Sequence, residues 1–147
     1  MKHMNYEFQQ TNLSRGLLAG LLAGLISVAV NLIIIFCFGT SGIGSRYSVI
    51  INPFTIFLGG VIPTIFGGIV YSFFSGIKSR NLMHVVIFGV LTFLCAKNTY
   101  HIHLINDPGV EKPFHQILVS MIIVAGLCAT FIMPIIINNK KLQQALF

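Results

Sequence analysis

Acidic residues are almost missing from this chain. Only Glu7, Asp107 and Glu111 occur in 147 residues, and none of them falls within a long apolar run. A proton-coupled exporter normally keeps a carboxylate at mid-membrane, so that mechanism lacks its central group. Three cysteines are present without a Cys-x-x-Cys pair, which argues against a thiol oxidase. No nucleophile elbow, zinc-binding helix motif or phosphate loop occurs, so the sequence is expected to be non-enzymatic. Charge of either sign is scarce as well. With 8% charged and 55% hydrophobic residues and a mean hydropathy of +0.88, the composition excludes a soluble domain, whose core has to be wrapped in a charged surface.

What fills the chain instead is four apolar runs, at 16–38, 49–75, 82–99 and 114–137. Each is long enough to cross a hydrocarbon layer of ~30 Å. The expected fold is all-α, an integral membrane antiparallel four-helix bundle forming a single domain over 1–147. The first run is longer than a typical signal core and lacks a small-x-small site at its end, so it is read as a true span. Asn52-Pro53 marks the start of the second helix, because proline is well tolerated in a first turn.

Lys2, Arg15, Lys78, Arg80, Lys140 and Lys141 fall on one side of this arrangement, and Arg46, Lys97 and Lys112 on the other, where Asp107 and Glu111 partly offset them. Basic residues accumulate on the cytoplasmic side of short loops, which predicts that both termini are cytoplasmic. The net charge of +6 is then a topology signal and a contact with anionic headgroups, not a nucleic-acid surface. A bacterial cytoplasmic membrane is the simplest compartment. The lipid bilayer is the one partner implied directly, and a homo-oligomer or a larger membrane complex remains open.

Helix 1 carries the clearest pattern. Gly16, Gly20 and Gly24 recur every four residues, beside Ala19, Ala23, Ser27 and Asn31 at the same spacing. Small residues four apart stack on one helix face and let another backbone approach closely, which matters in lipid because apolar side chains gain nothing there by leaving the solvent. Helix 2 repeats the device with Gly60, Thr64, Gly68 and Ser72, next to Gly59, Pro63 and Gly67. The two helices are therefore expected to pack through their glycine faces. Pro63 removes a backbone donor at mid-membrane and frees a carbonyl that Thr64, a neighbour or a ligand must meet.

Asn31 then lies on the packed face of helix 1. It either bonds a neighbouring helix, a contact worth ~0.6–2 kcal/mol, or lines a binding cavity. With Thr64, Ser72 and His115 it makes a candidate set for a small apolar or neutral solute. That role, as a binder or conduit, is the alternative; the first expectation is a non-enzymatic accessory or scaffold protein that associates with itself or with a larger membrane complex.

The segment from Asn98 to Pro113 reads as the longest connection and has the most varied chemistry. His101, His103 and, at the start of helix 4, His115 supply candidate metal ligands together with the nearby carboxylates. The spacing is not diagnostic, since His101 and His103 cannot face one ion without a turn between them. The same residues suit the headgroup layer as amphipathic interface groups. His84 and His115 fall at opposite ends of their helices, too far apart to share a haem, and no cofactor is expected. Cys37 and Cys95 lie near one boundary, where a disulfide between helices 1 and 3 is one reading and small buried core residues another. Cys128 is placed deep in helix 4.

Two family comparisons bear on the chain. Gly42-Ile43-Gly44-Ser45-Arg46-Tyr47 looks like a motif of small four-helix fluoride channels, but it follows the first helix instead of lying in it, and the Phe-rich filter segment is missing. Arg15-Gly16-Leu17-Leu18-Ala19-Gly20 leading to Asn31, Val61-Ile62-Pro63-Thr64-Ile65-Phe66-Gly67-Gly68-Ile69-Val70-Tyr71, and His115 opening a helix that ends at Pro134 together resemble a family of small four-span bacterial membrane proteins with no assigned function. That resemblance implies location and topology, and it draws attention to Asn31, Pro63 and His115.

Overall fold

The computed structural model describes residues 11–39, 51–101 and 108–139, with side chains for 11–37, 51–101 and 112–139. Among these, four helical stretches are long and apolar enough to cross a membrane: Asn12–Cys37, Pro53–Phe73, Arg80–His101 and Lys112–Asn138. We label the helices α1 (Asn12–Gly39), α2 (Pro53–Phe73), α3 (Arg80–Asn98), α4 (Pro108–Leu127) and α5 (Met133–Asn138). A single 3-10 turn, Thr99–His101, extends α3, and a π turn, Cys128–Ile132, joins α4 to α5 into one continuous span. The start of α1, the α2–α3 turn and the end of α5 meet at one end of the bundle, called here the terminal end.

The ends of the helices follow local chemistry. At the start of α2, Asn52 Oδ1 accepts the Thr55 backbone N–H at 2.9 Å, and Thr55 Oγ1 accepts the Asn52 N–H at 3.0 Å. This reciprocal capping, with Pro53 in the first turn, satisfies donors that would otherwise be orphaned. The fourth span differs from the sequence expectation. Its helix begins at Pro108 and runs through Pro113, so the connection before it is shorter than Asn98 to Pro113. Pro108 supplies a pre-set first-turn φ in place of a loop residue. The helix also continues past Pro134 to Asn138. A proline ring clashes with the carbonyl four residues back in α geometry, and the widened turn at Cys128–Ile132 sits immediately before Pro134, where that clash would fall.

The most extensive contact in the fold is between α1 and α2. It is backbone on backbone. Gly16 lies against the Gly68 carbonyl, and a Cβ on Gly20 would meet the Thr64 carbonyl oxygen at 2.5 Å and the Ile65 Cα at 2.9 Å. Further along, Gly24 meets Thr64 and Val61, and Gly60 meets Val28. Each four-residue step forward on α1 answers roughly a four-residue step back on α2, the register of an antiparallel pair.

The second small-residue stripe of α1 serves a different neighbour. Ala19 and Ala23 are fully buried in a cluster with Tyr71, Met133, Ile136 and Ile137, and Ser27 lies beside Cys128. One face of α1 thus seats α2 through glycine, and the adjoining face seats the π turn and α5 through alanine and serine. α3 packs on α4 and α2, with the Thr92 side chain filling the space over Gly126. Its outer face of Leu82, Val86, Val90 and Phe93 is exposed, as a lipid-facing surface is in the absence of a water-driven core.

Gly20→Leu is expected to force α1 and α2 apart and to destabilise the fold by more than the ~1–3 kcal/mol typical of overpacking. Gly59→Ala is expected to be neutral, because nothing lies within 4 Å of its Cβ position. Unfolding of the two variants in mild detergent, followed by circular dichroism, makes the comparison; equal stabilities would contradict the packing described.

Candidate functional site

Asn31 continues the Ala19–Ala23–Ser27 stripe one turn beyond the point where α1 is sealed by the π turn. It is 1% exposed, and its Oδ1 has no hydrogen-bond partner. An unpaired polar atom in a low-dielectric interior costs ~1–3 kcal/mol, so Asn31 is not explained by packing alone. It lines a recess of about 330 Å³ together with Ile51, Thr55, Gly59, Leu118, Met121 and Ile122. A second recess of about 340 Å³ adjoins it, sharing Gly59 and Ile122 and continuing past Pro63 to Phe88 and Gly126. Both are of the size and apolar character of small-molecule sites.

Gly59 stands between the two recesses for a chemical reason. Pro63 has no N–H, so the Gly59 carbonyl loses its helical partner. Thr64, one of the groups the sequence offered to satisfy this carbonyl, does something else. Its hydroxyl bonds the Gly60 and Val61 carbonyls, at 2.9 Å from each, and fills the contact with Gly24. The recess therefore presents the Asn31 amide oxygen on walls that are apolar apart from Thr55.

The other sequence candidates lie elsewhere. Ser72 is at the terminal end, its hydroxyl shared between the Gly68 carbonyl at 2.8 Å and the Asn12 carbonyl at 2.9 Å. It opens on a separate cavity. His115 is buried near the opposite end, with its ring centroid 5.7 Å from Tyr100 and 5.8 Å from Phe114. Asn31, Thr64, Ser72 and His115 are thus spread along the depth of the bundle instead of converging on one chamber. His101 is exposed in the 3-10 turn, and His103 lies outside the described residues. No group of three His, Cys, Asp or Glu side chains that could hold a metal occurs among the described residues. Cys128 is buried, whereas Cys37 and Cys95 are both exposed and no disulfide joins them. The expectation that all three cysteines are core residues holds for Cys128 alone, because Cys37 and Cys95 fall on outward faces of α1 and α3.

His84, weighed from sequence only as a haem ligand and set aside, has a structural role. Its ring is fully buried, stacked on Phe88 at 4.5 Å and set edge-on to Tyr71 at 5.2 Å. Nε2 lies 2.9 Å from the Ala129 carbonyl in the π turn. A carbonyl can only accept, so Nε2 carries the proton. A π turn disrupts the regular helical ladder, and His84 meets one of its carbonyls from the neighbouring helix. Nδ1 is left buried without a partner. A lone histidine in an apolar run, facing a segment interrupted by Pro134, was the available signal.

Compared with protein-family models, curated proteins and solved structures, the chain matches none.

His84→Phe should keep the stacking on Phe88 and shed the unpaired Nδ1, but it orphans the Ala129 carbonyl, so a net loss below ~3 kcal/mol is expected. His84→Gln should recover part of that loss by supplying an N–H. Chemical or thermal unfolding of both variants in detergent tests the bond, and a phenylalanine variant as stable as the parent would show that it contributes no more than the unpaired Nδ1 costs.

Proposed function

We propose that this non-enzymatic, multi-pass membrane protein binds a small, mainly apolar molecule carrying one hydrogen-bond donor, in the recess between α1, α2 and α4. The observation that carries this reading is Asn31: a buried amide whose oxygen has no protein partner, at the wall of a cavity large enough for a ligand. A hydroxyl or N–H on the bound molecule would recover the hydrogen bond that the protein leaves unmade. A plain acyl chain would fill the volume and leave the acceptor unsatisfied, and that difference is the source of selectivity.

An accessory or scaffold role, with the chain joined to itself or to a larger membrane complex, would need a free packing surface. The glycine faces that best suit such a role are already used between α1 and α2, which favours the binding reading. The compartment we infer is a bacterial cytoplasmic membrane with both termini in the cytoplasm, in line with the resemblance to small four-span bacterial membrane proteins. The clustering of Lys78, Arg80 and Arg15 toward the terminal end supports that orientation.

Asn31→Leu separates stability from binding. It removes the orphaned oxygen, so the ligand-free protein is expected to be more stable by about 1 kcal/mol. In the parent, decanol should raise the unfolding temperature in detergent more than decane does, and the variant should respond to the two alike. If decane and decanol act equally on the parent, the recess has no preference for a donor and the reading fails. Native mass spectrometry of the purified protein would then identify the natural occupant.

A further inference from the structure

The cavity at the terminal end has a chemistry opposite to that of the Asn31 recess. It is about 80 Å³ and is lined by Asn12, Arg15, Tyr71, Ser72, Ser75 and Arg80, with Ile137. By volume it would hold roughly two or three waters, the scale of one tetrahedral oxyanion. Two arginines line this small space, and no carboxylate occurs among the described side chains, since the side chains of Glu7, Asp107 and Glu111 all lie outside them.

The two arginines are held in different ways. Arg80 is fixed: Nη2 donates to Asn138 Oδ1 at 2.9 Å, and the guanidinium lies over the Tyr71 ring, 4.8 Å from its centroid. Tyr71 is itself clamped, accepting from Asn138 Nδ2 at 2.9 Å and donating to Asn81. Arg80 is thus a pre-positioned cation whose orientation is set by α2, α3 and α5 together. Arg15 is half-buried, and its Nε is buried without a hydrogen-bond partner. A buried, unpaired donor on a cation is costly, and beside a second cation the cost rises. An anion would remove both penalties at once.

Depth narrows the class of anion. Asn12 and Arg80 begin two of the candidate spans, while Ile137 and Ser72 lie one residue inside the ends of the other two. The cavity therefore sits where apolar helix gives way to the polar boundary, the level of lipid phosphates and of solutes arriving from water. We propose that Arg15 and Arg80 form a binding site for a phosphate group at this end of the bundle. The planar, multi-donor forks of two arginines suit the oxygens of a phosphate, and the Ser75 hydroxyl opens on the same space. The group is either free phosphate or the phosphate of a lipid headgroup.

The test uses the whole protein in dodecyl maltoside, which contains no phosphate, with thermal unfolding and native mass spectrometry as readouts. Inorganic phosphate forms one arm; phosphatidic acid, compared with the diacylglycerol of the same chains, forms the other. A saturable one-to-one adduct and a raised unfolding temperature with inorganic phosphate identify a free-phosphate site. The same response to phosphatidic acid alone, absent with diacylglycerol, identifies a headgroup site. In either case Arg15→Gln should weaken binding about tenfold or more, as loss of a charge-assisted contact does. Lys78→Gln, which removes the same charge from the neighbouring exposed turn, should change it less than about twofold.

Ser75→Asp guards against loss of folding. Its site is exposed, so the substitution should be tolerated. The new carboxylate should raise the stability of the ligand-free protein and abolish the response to phosphate. Absence of binding in both arms, equal weakening by Arg15→Gln and Lys78→Gln, or a Ser75→Asp variant that binds like the parent would each overturn the proposal.

Discussion

Everything in this fold is registered on the backbone contact between α1 and α2. In lipid there is no gain from burying one apolar side chain against another in preference to the solvent, so helix pairs are fixed by how closely their backbones can approach. Gly16 against Gly68 and Gly20 against Thr64 set that approach. The register then propagates in both directions. One turn before Gly16, the Asn12 carbonyl comes opposite Ser72 and accepts its hydroxyl, which brings Arg15 to the cavity that Arg80 also lines. Beyond Gly24 the same alignment carries Asn31 toward Thr55 and Gly59. The two candidate sites are thus the two ends of a single helix-to-helix alignment.

The second half of the bundle is held by rules of another kind. α4 cannot run as a regular helix through Pro134, and the chain absorbs the misfit in one widened turn. A π turn alone would leave the packing against α1 and α3 poorly specified. His84 fixes it from α3 by binding the Ala129 carbonyl, while Ser27 of α1 lies beside Cys128 on the other side. The irregular segment is thereby wedged between two helices at the middle of the core. That position explains why Cys128, Ala129 and Thr130 are buried although the turn departs from helical spacing.

How much of this could be read from the sequence depended on whether the information is carried by periodicity or by pairing. The existence of four spans, the cap at Asn52 and the glycine faces are periodic or local features and were legible, whereas the bounds of the fourth span were not. Asn31 was legible as a buried amide because it continues a four-residue stripe. The joint placement of Asn31, Thr64, Ser72 and His115 was not legible, since residue type reports polarity but not depth. Thr64 and Ser72 are satisfied largely by their own helix, a choice open to any helical hydroxyl. The bond of His84 to Ala129 was missed because its partner is a backbone carbonyl, and a carbonyl has no letter in a sequence. Arg15 and Arg80 had a sufficient explanation as topology signals, which concealed that the fold also brings them to one cavity.

The contrast between the two sites follows from where they lie along the bundle normal. An uncompensated charge is tolerable only near the boundary, where water and headgroups lower its cost; deeper in, the largest polar imbalance that a fold can carry is a single neutral hydrogen-bonding group. The chain obeys this ordering along α1 itself: Arg15 near the start, glycine and alanine through the packed middle, then Ser27 and Asn31. A charged ligand would be recognised near a boundary, as at the terminal end, and a ligand in the Asn31 recess would have to be neutral, because nothing among the described side chains there could neutralise a charge brought into that depth. The ligand class of each site is therefore limited by membrane depth before any individual contact is considered.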